Sequence, residues 1–350
     1  MGMNKFVYFL LFISSFGHAQ INIESIKNLP EFFNDAVFFS DKYVTPATDA
    51  AVYQAASAWM YTAQKPKLWS TTFGIHGNFF LVPNTDKEFV LNDSDFKFLK
   101  IQNSTSAVVA SALGDGNQIA IIDKYGLINT KKPILTPKGV DQSSIIYPHL
   151  SGSVGLPSGF SLVGKYAPKT KIQKGEYQVY GLGLAYNVSQ HMKEIEKDGF
   201  YLSFLVTKSK EEISFDFLDV KINDPFSTTS GKIYTLGINR INGLVDSWQF
   251  QVCGSKKWRN FEFMLTSITN KSDFKYQFSG DRGTIDDVLK FEGGSSQAFF
   301  NKKLESIYKT KFNSIIEVSA TYNYRKMYFQ SLVAFNKFIN ANLSVHYKIN

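Results

Sequence analysis

From about residue 69 to the end of the chain, apolar and polar side chains alternate with a period of two. In the stretch 69–81, Trp69, Thr71, Phe73, Ile75, Gly77, Phe79 and Leu81 share one face. Ser70, Thr72, Gly74, His76, Asn78 and Phe80 share the other. Such a stretch is a strand whose two sides meet different surroundings. The pattern returns at 150–156, at 160–166 after the turn Pro157-Ser158-Gly159, and at 179–188, 200–207, 234–239, 248–253, 316–325 and 343–349. Alternating segments of about ten residues separated by turns are what a transmembrane β-barrel requires, with an apolar face toward lipid and a polar face toward the lumen. Lipid offers no hydrogen bonds to the backbone, so a spanning sheet has to close on itself.

A secreted β-sandwich also alternates. Its strands usually run to only about five or six residues, and this chain also ends inside an amphipathic strand, 343–349. Both features favour the barrel. At about 24 residues per strand plus connection, an even-numbered barrel of about 12–14 strands is expected. Phe, Tyr and Trp make up 15% of the chain. Interfacial girdles account for that excess, with Trp69, Tyr147, Tyr166, Tyr180, Tyr234, Trp248, Trp258, Tyr324 and Tyr347 expected near strand ends. The polar stretches 208–232 and 270–304 are expected as long external loops. The weakly alternating 89–138 contains the apolar runs 107–113 and 119–122, expected as a hairpin or as a helix and strand folded into the lumen.

The first residues read as a secretory signal peptide: Lys5, the apolar stretch Phe6–Phe16, then small residues at Gly17 and Ala19 before Gln20. That apolar stretch is about half of what a membrane-spanning helix needs. The mature chain is expected to start near Gln20. Cys253 is the only cysteine, so no internal disulfide can form. The formal charge is +8, and losing Lys5 leaves +7. The basic residues are mostly scattered lysines, which argues against a nucleic-acid partner and leaves a bias toward anionic solutes or lipid head groups.

Residues 21–64 have helical spacing, with Ile23, Ile26, Leu29 and Phe33 on one side, and an Ala-rich stretch at 48–63 after Pro46. Thr48-Asp49 could cap a second helix. A short helical segment ahead of the first strand fits a plug inside the lumen. Trp59 and Tyr61 are the candidate plug residues, and His76, Asn78 and Lys165 the candidate lumen residues facing it. No Gly-x-Ser-x-Gly, His-Glu-x-x-His or phosphate-binding loop occurs, so no enzyme activity, cofactor or metal is expected. Gly114-Asp115-Gly116-Asn117 reads as a turn. His76, His149, His191 and His346 are too far apart in sequence for a local metal motif.

The stretch from Ala47 through Ala58-Trp59-Met60-Tyr61-Thr62-Ala63 to Trp69 resembles the N-terminal hatch of long-chain fatty-acid transporter-type barrels. Met60, Thr62 and Gln64 depart from that family's Trp-Tyr-Asn-Pro-Ala-Gly-like motif. The chain as a whole is similar to a family of outer-membrane proteins from Bacteroidota with no settled function. That likeness is carried by Trp59–Pro66, Tyr147-Pro148-His149, Gly155-Leu156-Pro157, Tyr166-Ala167-Pro168-Lys169 and Tyr180-Gly181-Leu182-Gly183-Leu184. The expectation is therefore an all-β antiparallel transmembrane barrel in the cell outer membrane: signal peptide 1–19, helical plug segment 20–68 and barrel 69–350. Its expected partners are outer-membrane lipids and a small hydrophobic solute passing the plug. The alternative is a non-transporting barrel serving an outer-membrane protein complex.

Overall fold

The computed structural model describes residues 29–114, 116, 118–125, 133–140, 144–172, 175–223, 233–235, 237–280 and 295–350. The expected signal peptide, with Ile23 and Ile26, lies outside the described residues. The strands in chain order are β1 (Thr71–Leu81), β2 (Glu88–Asn92), β3 (Leu99–Ile101), β4 (Ser106–Ala110), β5 (Ala120–Asp123), β6 (Ile134–Leu135), β7 (Ser144–Gly155), β8 (Phe160–Ile172) and β9 (Gly175–Asn187). They continue with β10 (Phe200–Asp216), β11 (Lys221–Asn223), β12 (Ile233–Thr235), β13 (Arg240–Trp258), β14 (Phe261–Ser279), β15 (Lys309–Tyr324), β16 (Met327–Phe335) and β17 (Ile339–Lys348). Helices are α1 (Leu29–Ala56), α2 (Lys193–Lys197) and α3 (Ser296–Leu304). Ten strands form a closed antiparallel barrel in the order β1-β17-β16-β15-β14-β13-β10-β9-β8-β7. Strand β1 closes it by pairing with β17 on one side and β7 on the other.

Ten strands, not 12–14, complete the ring because the strands are longer than expected. β10 has 17 residues, and β13 and β14 have 19 each. Each of the long strands changes character part-way along. On the lower part of β14 the outward residues are Phe261, Phe263 and Leu265, while Glu262 and Thr266 point in. Further up, Lys271, Lys275 and Gln277 point out and Phe274, Tyr276 and Phe278 point in. β10 and β13 do the same: Val206 and Phe250 give way outside to Lys210 and Asp246, and Ile213, Phe215, Ile241 and Val245 turn inward. The lower half is built for lipid outside and a polar interior. The upper half is built like a water-soluble domain around an apolar core.

This inversion corrects the expected loops. Residues 208–216 and 270–279 continue strands β10 and β14, and α3 occupies 296–304. Along β13, outward Trp258 and Trp248 are ten residues apart, about 33 Å along a strand and about 25 Å across a membrane when tilted at ~40°. Exposed apolar side chains between those levels occur on all ten strands, among them Ile75, Leu162, Leu182, Val206, Leu265 and Ile316. Trp69, Trp258, Tyr324 and Tyr347 lie on the outer surface at one rim. Tyr147 does not join the girdle. It faces inward, fully buried, and its hydroxyl donates to the Gln54 carbonyl at 3.3 Å. Tyr234 is in a two-stranded sheet of β11 and β12 apart from the barrel.

One end of the barrel carries the connections 156–159, 259–260 and 325–326 and the twelve-residue 188–199 with α2, together with the start of β1 and the end of β17, whereas the tight β8–β9 and β16–β17 links lie at the other end. The other end carries the long connections 82–143, 217–239 and 280–308. Within 82–143, β2 pairs with β4, and β5 pairs with β3 and β6. The expected hairpin between 107–113 and 119–122 is therefore absent, because its two arms join different sheets. Leu91, Phe96, Phe98 and Val109 pack from these sheets into one core with α1.

α1 enters this core from the long-connection end. Phe33 meets Phe300 of α3 at 4.2 Å between ring centroids, and the Asp35 carboxylate accepts from the backbone N–H groups of Lys97, Phe98 and Leu99. The helix is continuous from Leu29 to Ala56 with Pro46 inside it, so no helix starts at Thr48-Asp49. Thr48 is no cap: its hydroxyl donates back to the carbonyl of Thr45 at 3.0 Å. At 1.5 Å per residue the helix is about 42 Å long. A ring of ten strands ~4.8 Å apart and tilted ~40° is about 20 Å across between backbones. One helix, about 10–12 Å thick with side chains, fills that space. Small residues on α1 (Ala47, Ala50, Ala51, Ala55) let it fit. Among the described residues no helix is long and apolar enough to cross a membrane itself.

The inversion predicts opposite outcomes for one substitution at two heights of one face. Leu265→Arg, in the lipid belt, should cost about 2–4 kcal/mol. Gln277→Arg, on the same face above the belt, should stay within about 0.5 kcal/mol of the parent. Urea unfolding of protein refolded into vesicles measures both.

Candidate functional site

Below α1 the chain runs on through the lumen as an extended strap, residues 57–64, and here many of the inward polar side chains find partners. A chain outside regular structure leaves its backbone groups without partners, and no lipid or helix supplies them. The barrel wall does. Lys165 Nζ donates to the carbonyls of Gln54 (3.3 Å), Ala55 (3.0 Å) and Ser57, placing an ammonium on the negative end of the helix. Gln249 and Gln251 donate to the Ala56 carbonyl at 3.1 and 3.2 Å. Glu317 Oε2 accepts from the Ser57 hydroxyl and the Ala58 N–H, both at 2.9 Å.

Further along, Gln330 donates to Met60 O and Thr321 to Tyr61 O. Asn187 and Ser203 both donate to Ala63 O at 2.8 Å. Glu262 accepts from the Ala63 N–H, the Thr62 hydroxyl and the Gln64 amide. Together with Tyr61 against Thr72 and His346 and Tyr147 against Gln54, the segment 54–64 touches residues from all ten barrel strands. Ala58 takes φ 60°, a left-handed conformation that costs a non-glycine residue about 1–2 kcal/mol. Trp59 fits because β9 carries glycine opposite it: a Cβ on Gly181 would lie 2.9 Å from the indole ring.

Beside the strap, strands β17, β1 and β7 bring three buried histidines together. The rings of His76 and His149 stack at 3.9 Å, and His346 meets His76 edge-on at 4.9 Å. Tyr61 stacks on His346 at 4.6 Å. His76 lies 2.8 Å from Ser151 Oγ and 3.3 Å from Asn342 Oδ1, and His149 Nδ1 lies 2.6 Å from the Asn78 amide. Gly74 makes the room, since a Cβ there would stand 2.4 Å from His346 Nδ1. Among the described residues no group of three or more His, Cys, Asp or Glu is placed to hold a metal ion. Both His76 and His149 face the interior, buried away from the outer surface.

At the short-turn end the strap forms the floor of a cavity of about 560 Å³. Trp59, Tyr61, Gln64, Ser151, Ser153 and His346 contribute to its walls, and Lys65, Lys67, Lys257, Arg325, Lys326 and Lys348 to its mouth.

Residues 3–349 match the model of a family of unknown function, DUF6588. The chain belongs to this family. No curated protein matches it. Among solved structures, this DUF6588 protein is similar to the translocator domain of autotransporter NalP from Neisseria meningitidis, with 6% identity and a TM-score of 0.35, covering 88% of this chain and 99% of that one. It is also similar to the outer membrane protease OmpT from Escherichia coli (8% identity, TM-score 0.27, 84% and 100% covered). A third is the Pseudomonas putida toluene transporter TodX (6% identity, TM-score 0.20, 84% and 95% covered).

The five residues singled out from sequence all lie in this interior. Trp59 and Tyr61 are on the strap; His76, Asn78 and Lys165 are buried in the wall. Glu262, Glu317, Gln249 and Gln251 were not singled out, although each is a polar residue set between apolar neighbours on a strand. The histidine cluster was missed because His76, His149 and His346 meet only through strand pairing. Removing the helix-capping ammonium with Lys165→Met should destabilise the protein by about 3–5 kcal/mol, because three buried carbonyls lose their donor at once. Chemical unfolding in vesicles provides the check.

Proposed function

We propose that this protein is an outer-membrane β-barrel that is closed at rest, with residues 29–64 as a built-in seal and no free flux of solutes. The observation that carries this reading is that the polar wall, which would line an open pore with water, is engaged by the strap's own backbone. Each such bond contributes about 0.5–1.5 kcal/mol net, and leaving buried partners unmatched costs more. A concerted exit of the strap is therefore expensive. Short turns usually face the periplasm and long connections the outside, so the folded cap over α1 would face outward and the 560 Å³ cavity the periplasm. In this reading the protein acts through those two ends, as a non-transporting barrel in an outer-membrane complex.

A second reading has one observation in its favour. Ala58 is held in a strained conformation beside the cavity, as in an element with two positions. Here the strap shifts and lets a small or hydrophobic solute pass. Conductance in planar bilayers separates the two. The sealed barrel predicts no steady conductance for the intact protein, and open channels when Gln249→Ala, Gln251→Ala, Glu262→Ala and Glu317→Ala are combined. Steady flux of small solutes through the unaltered protein would overturn the seal.

A further inference from the structure

The mouth of the cavity at the short-turn end is rimmed by six cationic side chains: Lys65, Lys67, Lys257, Arg325, Lys326 and Lys348. Neither aspartate nor glutamate lines it. Among the described residues none of the six has a carboxylate within ion-pair distance. Lys67 and Lys348 stand close enough to repel one another. Lys326 donates to the carbonyl of Ile349 and Arg325 stacks on Tyr324, so these two are anchored while keeping their charge at the rim. The Glu262 carboxylate is bonded by Thr62, Ala63, Gln64 and Ser255 and not by a rim cation. Elsewhere the same protein matches its interior charges, as Asp49 does with Lys311 and Lys337. At the mouth six cationic side chains surround a concave space, with the single carboxylate of Glu262 bonded to the floor residues Thr62 and Gln64, and cations held together in a cleft attract a counter-ion.

The walls narrow the class of anion. Thr72, Ser151, Ser153 and Ser161 offer hydroxyls, and Trp59 and Tyr61 offer ring surface at the floor. We propose that this cavity binds a small, hydroxylated anion of more than one charge, of which a sugar phosphate is the type. The phosphate meets the lysine and arginine rim, and the hydroxylated body rests on Tyr61 and Trp59. The site needs the strap in place as its floor, so it rests on that part of the closed-barrel reading. The rim residues are not among the strap's anchors, which lets the two be tested apart.

The experiment is calorimetric titration of the full chain in detergent with glucose 6-phosphate, glucose and inorganic phosphate, with Trp59 fluorescence as a second readout against a Trp59→Phe control. The expected result is sub-millimolar binding of glucose 6-phosphate, at least about tenfold weaker binding of glucose and of phosphate alone, and loss of affinity with added salt. Lys65→Gln with Lys348→Gln should weaken binding by about tenfold while the protein keeps its heat-modifiable gel mobility and its closed conductance state. Equal affinity for glucose, or affinity unchanged by the rim substitutions, would overturn the proposal. Repeating the titration in nanodiscs with and without phosphatidylglycerol separates the sources of phosphate. If that lipid displaces the sugar phosphate, the rim reads head groups and the soluble ligand is refuted.

Discussion

The ammonium of Lys165, set against the last carbonyls of α1, is the contact on which the interior of this protein depends. A helix that ends inside a membrane barrel leaves its final carbonyls without water, and a chain that then runs on extended leaves still more. One buried cation from β8 answers three of those carbonyls, and Glu317, Gln249 and Gln251 answer the groups on either side. Without them the strap could not stay in the lumen. With them, the strap is tied to the wall at Ser57, Ala58, Met60, Tyr61, Ala63 and Gln64.

The same demand explains the shape of the barrel. A ring of ten strands has room for one helix and little else, and α1 meets it with alanines while β9 meets Trp59 with Gly181. Above the lipid belt the wall exchanges its polar interior for Ile213, Phe215, Phe274 and Phe278, so that the upper part of α1 is held by apolar packing. The one sheet thus serves two solvents, and the height at which its pattern inverts marks where lipid gives way to water.

Much of this was legible in the sequence. The lower halves of the strands alternate in the sense lipid requires, and the placement of Thr72, His76 and Asn78 on the inner face of β1 followed directly from that alternation. The upper halves look like loops in the sequence because their outer face is not apolar. Lys271, Asp273 and Lys275 lie on it, although Phe274, Tyr276 and Phe278 alternate just as regularly on the inside. The strand count was too high for the same reason. Thr48-Asp49 reads as a helix start after Pro46, yet α1 runs straight through: packing of its buried faces outweighs the lost hydrogen bond and the ring clash of the proline. Sequence spacing could not reveal the three histidines, since register alone sets His76 against His149 and Gly74 against His346.

The central claim is that residues 57–64 lie inside the barrel against its wall, and a single cross-link tests it. The thiol of native Cys253 on β13 lies 3.5 Å from Met60 Sδ on the strap. In Met60→Cys, treatment of isolated membranes with a mild oxidant or a short dithiol reagent should join positions 60 and 253 and speed the unfolded band on a non-reducing gel. If neither reagent links them in protein that still shows heat-modifiable mobility, the strap lies elsewhere and the account is contradicted.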